Sequence, residues 1–211
     1  MYHEIYRPEE RDRLRGLTNP AYNTELKVFR NQISWLQSNN IKTITIDELL
    51  SQKPKKEEKV VCLTFDDGWL GNYLYVYPIL REYGFKATFF IATELTGKPF
   101  YMTWDQLKEM MAGGMSIQSH TVTHRPLGRM EEKEIIFELQ ESKKAIEEKL
   151  GTGVNHLSLP HGSKNGIIWP LAMELQAILG MRITKSLKNI LRGTIGVNTY
   201  RKLYQWIYGI R

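Results

Sequence analysis

The chain has 211 residues, of which 42% are hydrophobic and 25% charged. This excludes collagen-like, mucin-like and wholly disordered chains, and the length suits one domain over 1–211 of the α/β-barrel size class or two small ones. A lone cysteine, Cys62, excludes a disulfide framework within the chain and a Cys-rich zinc site, while 29 Lys and Arg against 23 Asp and Glu leave +6, a weak preference for anionic surroundings.

In chain order, 18–23 reads as a loop with a turn at Asn19-Pro20. A helix over 24–39 follows, with Leu26, Phe29, Ile33 and Leu36 on one face. A strand is predicted over 41–46, a charged connecting loop over 51–59 and a buried strand over 60–65. A helix over 72–83 ends at Gly84, and a strand covers 87–91. The helix over 103–112 opens on Thr103 as N-cap and stops at Gly113-Gly114, before a strand over 115–119. The longest helix, 131–150, points Ile135, Leu139, Ile146 and Leu150 inward. A strand over 154–159, a helix over 168–179 and a strand over 181–184 complete the pattern. Alternating strands and helices imply parallel strands with crossover helices, so an open doubly wound sheet or a barrel. No apolar run approaches the roughly 18 residues of a membrane span. The first residues, Met1 to Glu4, show no charged-then-apolar export pattern.

Three short segments carry chemistry, each leaving a strand, where parallel α/β folds gather their functional groups. Thr64-Phe65-Asp66-Asp67-Gly68 sets two carboxylates side by side. One could hold a metal while the other moves a proton, and Asp-Asp-Gly serves equally well as a turn with capping carboxylates. Ser119-His120-Thr121-Val122-Thr123-His124 places two histidines four apart, a spacing that reaches one ion from one face of a helical turn. Two imidazoles and a carboxylate form the open ligand set of a catalytic metal site. Leu157-Ser158-Leu159-Pro160-His161-Gly162 is a turn. His156 reads as a surface histidine, and Trp69, Trp104 and Trp169 read as core or as sugar-stacking residues.

Together these segments resemble the polysaccharide deacetylase family, the NodB-homology domain of carbohydrate esterase family four. Pro78-Ile79-Leu80, Gly84 to Phe90 and Thr103 to Leu107 follow the same style and order. The resemblance implies a distorted (β/α) barrel. It implies a hydrolase that removes N-acetyl groups from an acetylated polysaccharide or oligosaccharide by water activated on a divalent metal, most often zinc. The polymer would be poly-N-acetylglucosamine, chitin-like or peptidoglycan-like. Asp67, His120 and His124 would be the metal ligands, Asp66 the general base, and the His161 backbone N–H a donor to the oxyanion. An extracytoplasmic or cell-surface location is implied, with no nucleic-acid partner.

Two departures matter. Ser158 stands where the family often has an arginine bracing the base. No histidine follows His161 to supply the general acid. The poly-β-1,6-N-acetylglucosamine deacetylase branch, which is circularly permuted, supplies that histidine in an N-terminal Met-Tyr-His segment, and Met1-Tyr2-His3 resembles it. His3 is then the candidate acid, on a first strand expected to be truncated, short of ladder bonds and prone to fray. A carbohydrate-binding relic without turnover, and a metal-dependent hydrolase of another amide, are the alternative functions.

Overall fold

Strand β5 (Leu63–Phe65) organises the chain in a computed structural model that describes residues 1–52, 54, 57–162 and 182–183. It begins a parallel sheet ordered β5-β6-β7-β8-β9, where β6 is Ala87–Ile91, β7 Ser116–Ser119, β8 His156–Leu157 and β9 Arg182–Ile183. All five β6 side chains are buried, because helices cover parallel sheets and leave no wet face. Two shorter parallel pairs complete the strands: β1 (Ile5–Tyr6) with β2 (Thr24–Glu25), and β3 (Lys42–Thr43) with β4 (Val60–Val61). The parallel strands curl as part of a distorted barrel, as the resemblance implies.

The helices are α1 (Leu26–Ser38), α2 (Ile46–Gln52), α3 (Tyr77–Glu82), α4 (Trp104–Ala112) and α5 (Glu132–Leu150). Thr103 caps α4 through the Gln106 N–H, as its sequence predicts. On α5, Ile135, Leu139, Ile146 and Leu150 are buried and Gly151 closes the helix at φ 65°. A π-helical turn over Asn72–Val76 leads into α3, so the predicted helix exists but is wound unevenly.

Elsewhere the structure corrects the sequence reading. Thr24 and Glu25 are strand, not helix, since they pair with Ile5 and Tyr6. The strand over 41–46 shrinks to β3 because Thr45 starts α2: its hydroxyl accepts the Glu48 N–H at 3.1 Å, and Glu48 accepts the Thr45 N–H at 2.9 Å. Ser51 and Gln52 close that helix and are not loop. The strand over 60–65 is broken at Cys62, where the chain changes partner from β3 to β6. Burial pushes the Cys62 thiol up to about 12, so it is inert. Trp169 and the helix over 168–179 lie outside the described residues.

The N-terminal segment lies beside β5 as His3 requires. The Tyr2 N–H donates to the Thr64 carbonyl at 2.8 Å and the Asp66 N–H to the Tyr2 carbonyl at 3.0 Å. Aromatic packing adds to these hydrogen bonds. The Tyr2 ring stacks on Phe65 at 5.1 Å and meets Phe29 edge-on at 5.3 Å. Its hydroxyl donates to Gln32 at 2.7 Å.

Candidate metal centre

Asp66 and Asp67 follow β5 and meet different partners, and the backbone turns left-handed at Asp67. Asp67 has φ 75° and Gly68 φ 87°. Left-handed geometry is ordinary for glycine and costs another residue roughly 1–3 kcal/mol, which the surroundings must support. At Asp67 the support is visible: Trp69 Nε1 donates to Oδ2 at 3.0 Å, and the indole is buried and stacked on Tyr101 at 4.5 Å. Trp69, which sequence alone left unsorted, is therefore a partner of the candidate ligand. Trp104 is half-buried against the core.

The other carboxylate oxygen, Asp67 Oδ1, lies 3.2 Å from His120 Nε2 and 3.0 Å from His124 Nε2. The ligand atoms of all three residues fall within 4.8 Å of one another. The histidines do not converge by helical spacing, as the sequence reading has it. Residues 120–124 form no helix, and Thr121 (φ 70°) and His124 (φ 60°) both take left-handed conformations.

The hydrogen-bond pattern shows what this cluster needs. His120 Nδ1 sits 2.9 Å from the Ser158 carbonyl oxygen, so in the neutral ring that nitrogen carries the proton and Nε2 presents a lone pair. Asp67 Oδ1 is buried with no hydrogen-bond partner among the described residues. Lone pairs thus converge where a positive charge belongs, and the donor set fits a divalent ion such as zinc. Burial alone would raise the Asp67 pKa, but the His120 and His124 contacts outweigh it and hold the carboxyl below the usual range. Burial likewise works to lower His120, and Asp67, Asp66 and the Ser158 carbonyl more than reverse it. The cluster attracts a proton or a metal by the same means. Asp67 and His120 are buried and His124 is half-buried, so the centre opens on the His124 side.

The remaining predicted residues are brought to the same place. Asp66 is buried, and Ser158 donates its hydroxyl to Oδ2 at 3.3 Å, so serine supplies a weaker neutral form of the expected brace. His161 sits at the opening with φ 57° and its ring 4.9 Å from that of His124. The His3 ring stacks on Tyr22 at 4.7 Å, an aromatic partner that no sequence signal marked. Burial lowers the His3 pKa, against the opposing pull of Asp67 and Asp66. His156 lies apart from this group and is not a surface residue. It is buried, with Nε2 2.8 Å from Asp47 Oδ1, because α2 packs over the start of β8.

A family model described as polysaccharide deacetylase matches residues 53–178. The chain belongs to the polysaccharide deacetylase family. YxkH of Bacillus subtilis (strain 168), placed by name among polysaccharide deacetylases, is 37% identical over 142 residues, covering 66% of this chain and 51% of that protein. The poly-β-1,6-N-acetyl-D-glucosamine N-deacetylase of Staphylococcus aureus (strain MRSA252) is 29% identical over 160 residues, covering 68% of this chain and 55% of its own length. The chain thus spans about half the length of these curated relatives. Among solved structures, the Streptococcus pyogenes deacetylase PplD in complex with acetate superposes with a TM-score of 0.73 at 31% identity, covering 83% of this chain and 78% of that one. No helix among the described residues of this family member is long and apolar enough to cross a membrane.

Proposed function

We propose that the chain hydrolyses the N-acetyl amide of an acetylated glucosamine polymer, releasing acetate and the free sugar amine. One observation carries this reading: Asp67, His120 and His124 converge on one point beside a second buried carboxylate, Asp66. Family membership supports the reaction class, and the name of the Staphylococcus relative supports a poly-N-acetylglucosamine substrate. Such polymers lie outside the cytoplasm, so the proposed place of action is the cell surface.

Asp67, His120 and His124 would hold the ion, which when bound lowers the pKa of water and polarises the acetyl carbonyl. Asp66 takes the proton of the attacking water, oriented by the Ser158 hydroxyl. The His161 N–H donates to the oxyanion that forms on the acetyl group. His3, held against Tyr22, delivers a proton to the departing amine. An amide needs both ends of this arrangement, since it is a poor electrophile with a poor leaving group.

The test is acetate release from a panel of β-1,6-linked, chitin-type and peptidoglycan-type oligosaccharides, with and without added zinc, cobalt or nickel. Metal-dependent release from a glucosamine oligomer supports the proposal. Release from small acyl-amines alone would assign another amide substrate, and oligosaccharide binding without release would mark a binding relic.

A further inference from the structure

The residues that set the shape of the histidine loop lie behind the site. Two left-handed residues, Thr121 and His124, turn this loop so that both Nε2 atoms face Asp67. A β-branched residue such as Thr121 does not adopt that conformation unaided. The loop therefore has to be held, and Glu138 of α5 lies behind it at 3% exposure. Glu138 Oε2 accepts the Val122 N–H at 2.8 Å and the Thr123 N–H at 2.9 Å, while Oε1 accepts the Thr123 hydroxyl. One helical turn further, Ser142 shares a hydrogen bond with Ser119 at 2.7 Å, and the Ser119 hydroxyl oxygen accepts the Thr121 N–H at 3.2 Å. On the loop's other side, the Thr93 and Glu94 N–H groups donate to the Thr121 and Val122 carbonyls at 3.1 and 3.0 Å.

We propose that Glu138 is the positioning residue of the metal centre: it fixes the histidine loop in its ligating shape before an ion binds. The proposal rests on the reading of Asp67, His120 and His124 as ligands. Glu138 touches none of those side chains. It occupies the two consecutive N–H groups between the histidines, which otherwise are drawn toward water and carry His124 with them. Geometry rather than charge is what the loop requires. A glutamine can accept both N–H groups on its one carbonyl oxygen and donate its amide to the Thr123 hydroxyl. An aspartate keeps the charge but is one methylene too short.

The full chain with Glu138→Gln, Glu138→Asp or Glu138→Ala separates these cases. Zinc affinity is read by competition with a chromophoric chelator. Amide hydrogen exchange at 121–124 is read on the metal-free protein, with melting temperature alongside. Glu138→Asp and Glu138→Ala should weaken zinc about ten- to a hundredfold, the usual loss when support behind a ligand is removed. Both should also speed exchange at Val122 and Thr123. Glu138→Gln should stay within about threefold of the native affinity on the same grounds. If Glu138→Ala does not fold, the Asp and Gln variants carry the comparison. Native affinity and exchange in Glu138→Asp, or a loss in Glu138→Gln equal to that in Glu138→Asp, overturns the proposal. A lower melting temperature with both other readouts unchanged also overturns it. A native chain that takes up no zinc overturns the ligand reading, and the exchange measurement still decides what Glu138 does to the loop.

Discussion

Glu4 follows His3 directly and is buried to 1% exposure, which makes Glu4→Gln an informative perturbation. Its nearest countercharge is Arg13, with Nη2 3.8 Å from Oε1, while Arg13 lies closer to Glu10 at 3.1 Å. Oε2 has no hydrogen-bond partner among the described residues. Burial therefore pushes the Glu4 pKa from its ordinary 4.5 to about 8, against the opposing pull of Arg13. The folded state prefers the protonated acid, so Glu4 contributes stability that is fully present below pH 4.5 and lost as pH rises to about 8. At about 1.4 kcal/mol per pH unit, the loss is about 3 kcal/mol by pH 7 and about 5 kcal/mol across the window. Glutamine keeps the shape and carries no charge, so its stability should not fall over this range. Urea unfolding at pH 4.5, 7 and 9 should show the Gln variant about equal at the first pH and more stable by the stated amounts at the others. A Gln variant less stable than the native chain at pH 7, or a difference that does not change with pH, would refute the reasoning.

Trp69→Phe removes the indole donor to Asp67 Oδ2, so zinc should bind about tenfold more weakly in chelator competition. Unchanged affinity would remove Trp69 from the site. At the far end of the sheet, the hydrogen bond from His156, opposed by burial and aided by Ser116, holds Asp47 near 2 against an ordinary 3.8. This stability is present above pH 3.8 and lost as pH falls toward 2. The side chain is 37% exposed, so solvent screening leaves about 1 kcal/mol, which Asp47→Asn should lack in acid unfolding curves. Asp66→Asn keeps the shape without a titratable carboxyl, so it should bind zinc normally and lose about a hundredfold or more in kcat; near-native turnover would release Asp66 from the role of base. His3→Ala should slow an amide more than an activated ester, whose leaving group needs no proton, and equal losses would move the acid elsewhere.

The parts of the fold written in local chemistry were legible. Strand β6 reads directly because all five residues are apolar or small and face covered sides of a parallel sheet. Helix α5 reads from its apolar period and from Gly151. Strand β1 does not, because two residues among His3, Glu4 and Arg7 carry no period and their pairing depends on Thr24 and Glu25. The helix start at Thr45 has its capping box in the sequence, but a β-branched run before it outweighs the signal. At the site, the residue types at strand ends singled out Asp66, Asp67, His120 and His124, and the family resemblance chose Asp67 and the two histidines as candidate ligands. Their convergence was not legible, since it depends on a left-handed loop and on Glu138, which the sequence places on a helix like any other acid. His156 reads as exposed for the same reason: its partner Asp47 is 109 residues away.

The most direct test of the proposed metal-dependent deacetylation is a zinc titration of the metal-stripped chain with acetate release from a β-1,6-linked N-acetylglucosamine oligomer as the readout. Release should start near zero, rise in proportion to added zinc and break at one ion per chain, and His124→Ala should stay near zero throughout. Acetate released by the stripped chain at a rate that zinc does not change, or a His124→Ala titration that overlays the native one, would contradict the account.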